Sequence, residues 1–60
     1  MKWNELLKIA KEKGFVFVRH GKKHDLYKNE ITGDTIWMER HSSQEVKPSL
    51  LKDLKKKIGI

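Results

Sequence analysis

Two histidines bracket a glycine and two lysines in the run Arg19-His20-Gly21-Lys22-Lys23-His24-Asp25-Leu26-Tyr27. Imidazole is the side chain whose ordinary pKa lies nearest neutrality, so it can take up or release a proton there. Cationic side chains nearby hold phosphate and stabilise charge that develops on it during reaction. RNA brings its own nucleophile, the 2′-hydroxyl. Cutting it without a metal requires a base or an acid, cations for the phosphate and accurate placement. The run offers these parts, with His20 and His24 as imidazoles and Arg19, Lys22 and Lys23 as cations. Gly21 gives a flexible point between them, free to take positive φ. The plainer meaning of the same residues is a solvated hairpin, the common fate of an exposed stretch rich in Lys and His.

Other residues carry weaker signals. His41 follows a strand-like segment and reads equally as an ordinary surface imidazole. Tyr27 and Trp37 have rings on which an unpaired base could stack, although each also suits a half-buried strand position. Lys52, Lys55, Lys56 and Lys57 could hold phosphate or simply solvate a helix face. His20 and His24 are four residues apart but flank a predicted hairpin rather than sharing a helix face, so they are not the helical i, i+4 pair of a zinc site, and cysteine is absent. Neither a thiolate metal site nor a disulfide framework is therefore expected, and no metal or small-molecule cofactor.

These side chains need elements to hold them. Trp3, Leu6, Leu7 and Ala10 fall at i, i+3, i+4 and i+7, which predicts an amphipathic helix over about 3–13. Gly14 then suits a left-handed helix end. Residues 15–19 are apolar and β-branched and read as a strand, with Phe15 and Phe17 on one face and Val16 and Val18 on the other. A second strand over 23–28 sends His24, Leu26 and Lys28 one way and Asp25 and Tyr27 the other. His20-Gly21-Lys22 is the hairpin connection, and residues 29–34 form a turn. Residues 35–39 make a third strand, with Ile36 and Met38 opposite Trp37. A polar loop over 40–46 leads to Pro48, which favours the first turn of a helix. Leu50, Leu51, Leu54 and Ile58 form that helix's apolar stripe, and Gly59 ends it. The expected class is α+β in the order α-β-β-β-α, a three-stranded antiparallel sheet with both helices on one face.

The chain has 60 residues, with fourteen Lys and Arg against eight Asp and Glu, a net charge of +6. One domain over residues 1–60 is expected. A core of this size supplies only about 3–5 kcal/mol, so a partner chain is a reasonable expectation. No apolar run approaches the ~20 residues of a membrane span, no secretory signal is visible, and a cytoplasmic location is expected. The positive charge favours a polyanion or an acidic protein surface. Two classes remain open beside an enzyme: a non-catalytic nucleic-acid binding module, and a domain that binds an acidic protein.

The whole chain resembles the HicA family of toxin–antitoxin toxins. The likeness rests on order and spacing from end to end: the opening helix, Gly14-Phe15 leading into an Arg-ending strand (residues 15–19), a Gly-containing turn, His24-x-x-Tyr27, the turn with Gly33, and a strand closed by Arg40-His41. It continues through Glu45-Val46-Lys47-Pro48-x-Leu50-Leu51 to Ile58-Gly59-Ile60. Where many relatives have Gly-Ser or Gly-Gly closely before the histidine, this chain has Gly21-Lys22-Lys23. The resemblance implies a fold like the double-stranded-RNA-binding domain. It also implies a metal-independent endoribonuclease that cleaves mRNA and stops translation, neutralised by a HicB-type antitoxin that covers the active site. The family's catalytic histidine falls on His24, and Arg19, Gly21, Lys22 and Lys23 become the expected RNA contacts.

Overall fold

A computed structural model describes residues 1–41 and 43–60 of the chain. Its elements run α1 (Trp3–Glu12), β1 (Phe15–His20), β2 (His24–Asn29), β3 (Thr35–Glu39) and α2 (Pro48–Ile58). The strands form one antiparallel sheet in the order β1-β2-β3, with both helices packed on one face of it. The expected architecture and its antiparallel sheet are therefore present, with element ends shifted by one residue. Lys23 lies in the hairpin bend, and His20 and Asn29 are strand residues.

The apolar stripes of both helices account for the packing. Trp3, Leu6 and Ala10 of α1 and Leu54 and Ile58 of α2 close over Phe15, Tyr27, Ile36 and Met38 of the sheet. Removing this apolar surface from water is the main favourable contribution to folding. Pro48 sits in the first turn of α2, and Gly59 closes that helix at φ 91° with its N–H donating to the Lys55 carbonyl over 2.8 Å. Leu50 departs from the expected stripe and is exposed. The core-facing row of α2 is Leu51, Leu54 and Ile58, spaced i, i+3 and i+7, and Leu50 turns off it.

The segment before α2 is more than a polar loop. Val46 is buried in the core, and its N–H donates to the Met1 carbonyl at 3.0 Å. Trp3 N–H donates to the Gln44 carbonyl at 3.0 Å, and Lys2 pairs with Glu45 as an isolated antiparallel bridge. These bonds satisfy a backbone donor at the start of α1 that no side chain caps, and they bring the beginnings of α1 and α2 together.

One irregularity decides where the site lies. Phe17 pairs with Tyr27 and Arg19 with Leu26, so Val18 is an extra residue in β1. Residues directly opposite in an antiparallel pair share a face, and an inserted residue reverses the alternation that follows it. Arg19 thereby joins Leu26 and Trp37 on the open face of the sheet. His20 pairs with Asp25 and moves to the side that carries the helices.

Candidate active site

His24 opens β2 and lies opposite Glu39, the last residue of β3. Its Nε2 is 3.0 Å from Glu39 Oε2, with 43% of the imidazole exposed against 20% of the carboxylate. The carboxylate thus lies within ion-pairing distance of the imidazole. Strand pairing fixes both backbones, and the pair spans adjacent strands on the open face.

Cations surround this imidazole. An open groove of about 410 Å³ is lined by Arg19, Gly21, Lys22, Lys23, His24 and Trp37, with no carboxylate among them. The four expected RNA contacts and the expected catalytic histidine thus share one groove. On the other side of His24 a hollow of about 240 Å³ is bordered by Trp3, Glu39, Glu45, Lys47 and Leu50, where the two helices begin. His41 joins Lys22, Lys23, Glu39 and Arg40 around a third opening, so it lies near the same hairpin.

Gly21 acts differently from the expectation of positive φ. Positive φ occurs at Gly14, Gly33 and Gly59, and Gly21 is outside that set. Its need for a missing side chain is one of space. A Cβ there would come within 2.8 Å of the His24 carbonyl oxygen and within 2.8 Å of Trp37 Cζ3. The Gly21 N–H donates to that same carbonyl over 2.7 Å. The hairpin can therefore fold back tightly against the start of β2 and the edge of the indole.

His20 forms a second imidazole–carboxylate pair on the helix side, with Nδ1 2.7 Å from Asp25 Oδ1. Phe17 packs beside its ring, the centroids 4.8 Å apart. Asp25 is shared, because Arg40 Nε donates to the same oxygen over 2.9 Å. The remaining Arg40 nitrogens donate to the carbonyls of Gly21 and Lys22. The hydrogen bond with His20 first, then that from Arg40, holds the Asp25 carboxyl below its ordinary value. One arginine thus ties the hairpin bend to β2 and neutralises the carboxylate beneath it. Sequence reading paired neither Asp25 nor Arg40 with this role. Only the clustering of opposite charges near the hairpin hinted at it.

Tyr27 is buried, with its ring edge-on to Phe17 at 5.7 Å. Burial first, and then the Asp25 charge, raise its phenol above the usual value, so the ring is a neutral packing group. Its stacking role is excluded by that burial, whereas Trp37 remains open to solvent on the face of His24. Lys52, Lys55, Lys56 and Lys57 lie along α2, away from the residues that line the His24 groove. Among the described residues, no three His, Cys, Asp or Glu side chains converge as a metal site. No helix among them is long and apolar enough to cross a membrane.

A family model described as the HicA toxin of bacterial toxin–antitoxin systems matches residues 3–60. No curated protein and no solved structure matches the chain.

Proposed function

The chain belongs to the HicA toxin family of bacterial toxin–antitoxin systems, and from that premise we propose that it is a metal-independent endoribonuclease that cleaves mRNA through His24. The observation that carries this reading is the His24–Glu39 pair, 3.0 Å apart, at the edge of a groove whose other polar side chains are Arg19, Lys22 and Lys23. An imidazole beside a carboxylate and a cationic groove is placed to exchange a proton with a bound phosphodiester.

In the reaction, the 2′-oxygen of one nucleotide attacks its own 3′-phosphorus. His24 accepts the 2′-hydroxyl proton or delivers a proton to the departing 5′-oxygen, and solvent water carries the other of these two proton transfers. The bond from phosphorus to the 5′-oxygen breaks, leaving a 2′,3′-cyclic phosphate and a free 5′-hydroxyl. Arg19, Lys22 and Lys23 hold the phosphate and offset the negative charge that grows on it. The test is a 5′-labelled RNA incubated with the chain in EDTA. Cleavage that persists and leaves cyclic phosphate ends supports the reading. Intact RNA that stays bound would make the chain a non-catalytic binding module instead.

A second reading is favoured by the His20–Asp25 pair, which has the same imidazole–carboxylate form. Its carboxylate is already engaged by Arg40, and its imidazole faces away from the lysine-lined groove. Both features make it the weaker candidate for a site that binds phosphate.

As a toxin of such a system, the chain has an antitoxin as its partner. We assign that role to a HicB-type protein that presents carboxylates to the cationic hairpin and so excludes mRNA. Charge complementarity of this kind speeds association and selects the partner.

A further inference from the structure

Trp37 is the large aromatic side chain on the open face that the proposed reaction leaves unused. It lies mid-strand in β3 opposite Leu26 and is 44% exposed. Its ring is nonetheless held. The guanidinium carbon of Arg19 sits 5.3 Å from the ring centroid. Gly21 closes on the ring edge, where even a methyl group would overlap Cζ3. Both residues line the same groove as His24, together with Lys22 and Lys23.

We infer that Trp37, with Arg19 over its ring, is a subsite that stacks one unpaired nucleobase of the RNA beside the bond that His24 cuts. Unpaired bases stack on aromatic rings and on guanidinium planes, and both surfaces are present here in contact. Each of the four bases has a π-face, so such a subsite selects strandedness more than sequence. A duplex keeps its base faces stacked inside and offers this groove only phosphates and sugars. Lys22 and Lys23 are placed to hold the phosphates that flank the stacked base. An indole and cations around one groove without carboxylates form the combination that single-strand binders use, and one poorly suited to a cationic or neutral protein segment.

The inference rests on the ribonuclease reading, and binding measurements separate the two. The probe is a short mixed-sequence strand of 2′-O-methyl nucleotides, which lacks the attacking hydroxyl and stays intact. It is titrated alone and annealed to its complement. The proteins are the full chain and its Trp37→Val and Trp37→Phe variants. Valine keeps a strand-favouring residue while removing the ring.

The single strand should bind Trp37→Val about 5- to 150-fold more weakly, the range that base stacking on an aromatic ring supports. Trp37→Phe should recover most of that loss, and duplex affinity should not change. Indole emission of the unaltered chain should be quenched by the single strand. In Trp37→Phe, which keeps only the buried Trp3, it should not. Equal losses for single strand and duplex, or an unchanged Trp37→Val, overturn the subsite. The emission measurement requires no altered fold, and an unquenched signal at saturation overturns it as well. A chain that shows the stacking signature but cuts no RNA removes the nuclease reading and leaves the subsite. RNA cleavage undiminished in Trp37→Val does the reverse.

Discussion

His20 and His24 lie on either side of one hairpin, and each has its own carboxylate, Asp25 or Glu39. The difference between them is what surrounds the pair. Glu39 serves His24 beside the open lysine-lined groove, whereas Asp25 also accepts from Arg40. Replacing His24 with Ala should therefore lower RNA cleavage by about 10²–10⁴-fold, the usual worth of general acid–base catalysis. RNA affinity should largely survive, since the proposed phosphate contacts are cationic side chains. His20→Ala and His41→Ala should cut at close to the original rate. Should His41→Ala lose activity while His24→Ala keeps it, the site moves to the loop after β3. Glu39→Gln tests the part played by the carboxylate. It should reduce turnover by less than His24→Ala with RNA affinity unchanged.

At the scale of elements, the hairpin and the β2–β3 turn are each tied by one polar side chain. Arg40 reaches from the end of β3 to Asp25 and to the bend carbonyls. The lowered Asp25 value sets the sign of its effect on stability. A carboxylate that ionises more readily when folded contributes stability at pH values above its ordinary 3.8. That contribution disappears as pH falls through the lower folded value. Asp25→Asn should therefore melt at a lower temperature near neutral pH, with the gap from the parent chain closing below about pH 4. Thermal unfolding at a series of pH values measures both. Asn29 does comparable work at the other end of β2. It is a buried polar residue whose Oδ1 accepts from the Ile31 and Thr32 N–H groups at 2.8 and 3.1 Å. Its Nδ2 donates to the Lys13 carbonyl at 3.0 Å, joining the turn to the end of α1. Asn29→Ala should cost about 2 kcal/mol, since it removes three hydrogen bonds and leaves their partners with less to bond. Urea unfolding gives the value, and a cost near zero would mean that water replaces the amide.

At the scale of the molecule, a net charge of +6 on 60 residues should make the proposed RNA affinity depend on ionic strength. The log of affinity should fall linearly with the log of salt, by roughly 0.7 for each phosphate neutralised on a single strand. Replacing Lys22 and Lys23 together with Ala should make the slope shallower by up to about 1.4. An unchanged slope would remove both lysines from the phosphate contacts and leave Arg19 as the principal cation of the groove.

Amphipathic spacing alone determined the order of elements and most of the core. Trp3, Leu6 and Ala10 repeat with the helical period, Ile36 and Met38 alternate with the strand period, and burying those faces admits few arrangements. The candidate groups were legible too, because histidine, lysine and glycine crowd one predicted hairpin. Partnership was not legible. Glu39 reads as the end of a strand and Arg40 as the start of a loop. Nothing in their spacing says that one meets His24 and the other Asp25, since that depends on the register between β2 and β3. Val46 looked like loop until the beginnings of the two helices were seen to enclose it. The bulge at Val18 had the largest consequence. Regular alternation would have put His20 on the open face and Arg19 beneath the helices, and one unpaired residue exchanged them. A single-residue shift inverts every later side chain in a strand. Local sequence therefore supplied the groups, but pairing across the sheet decided which of them share a groove.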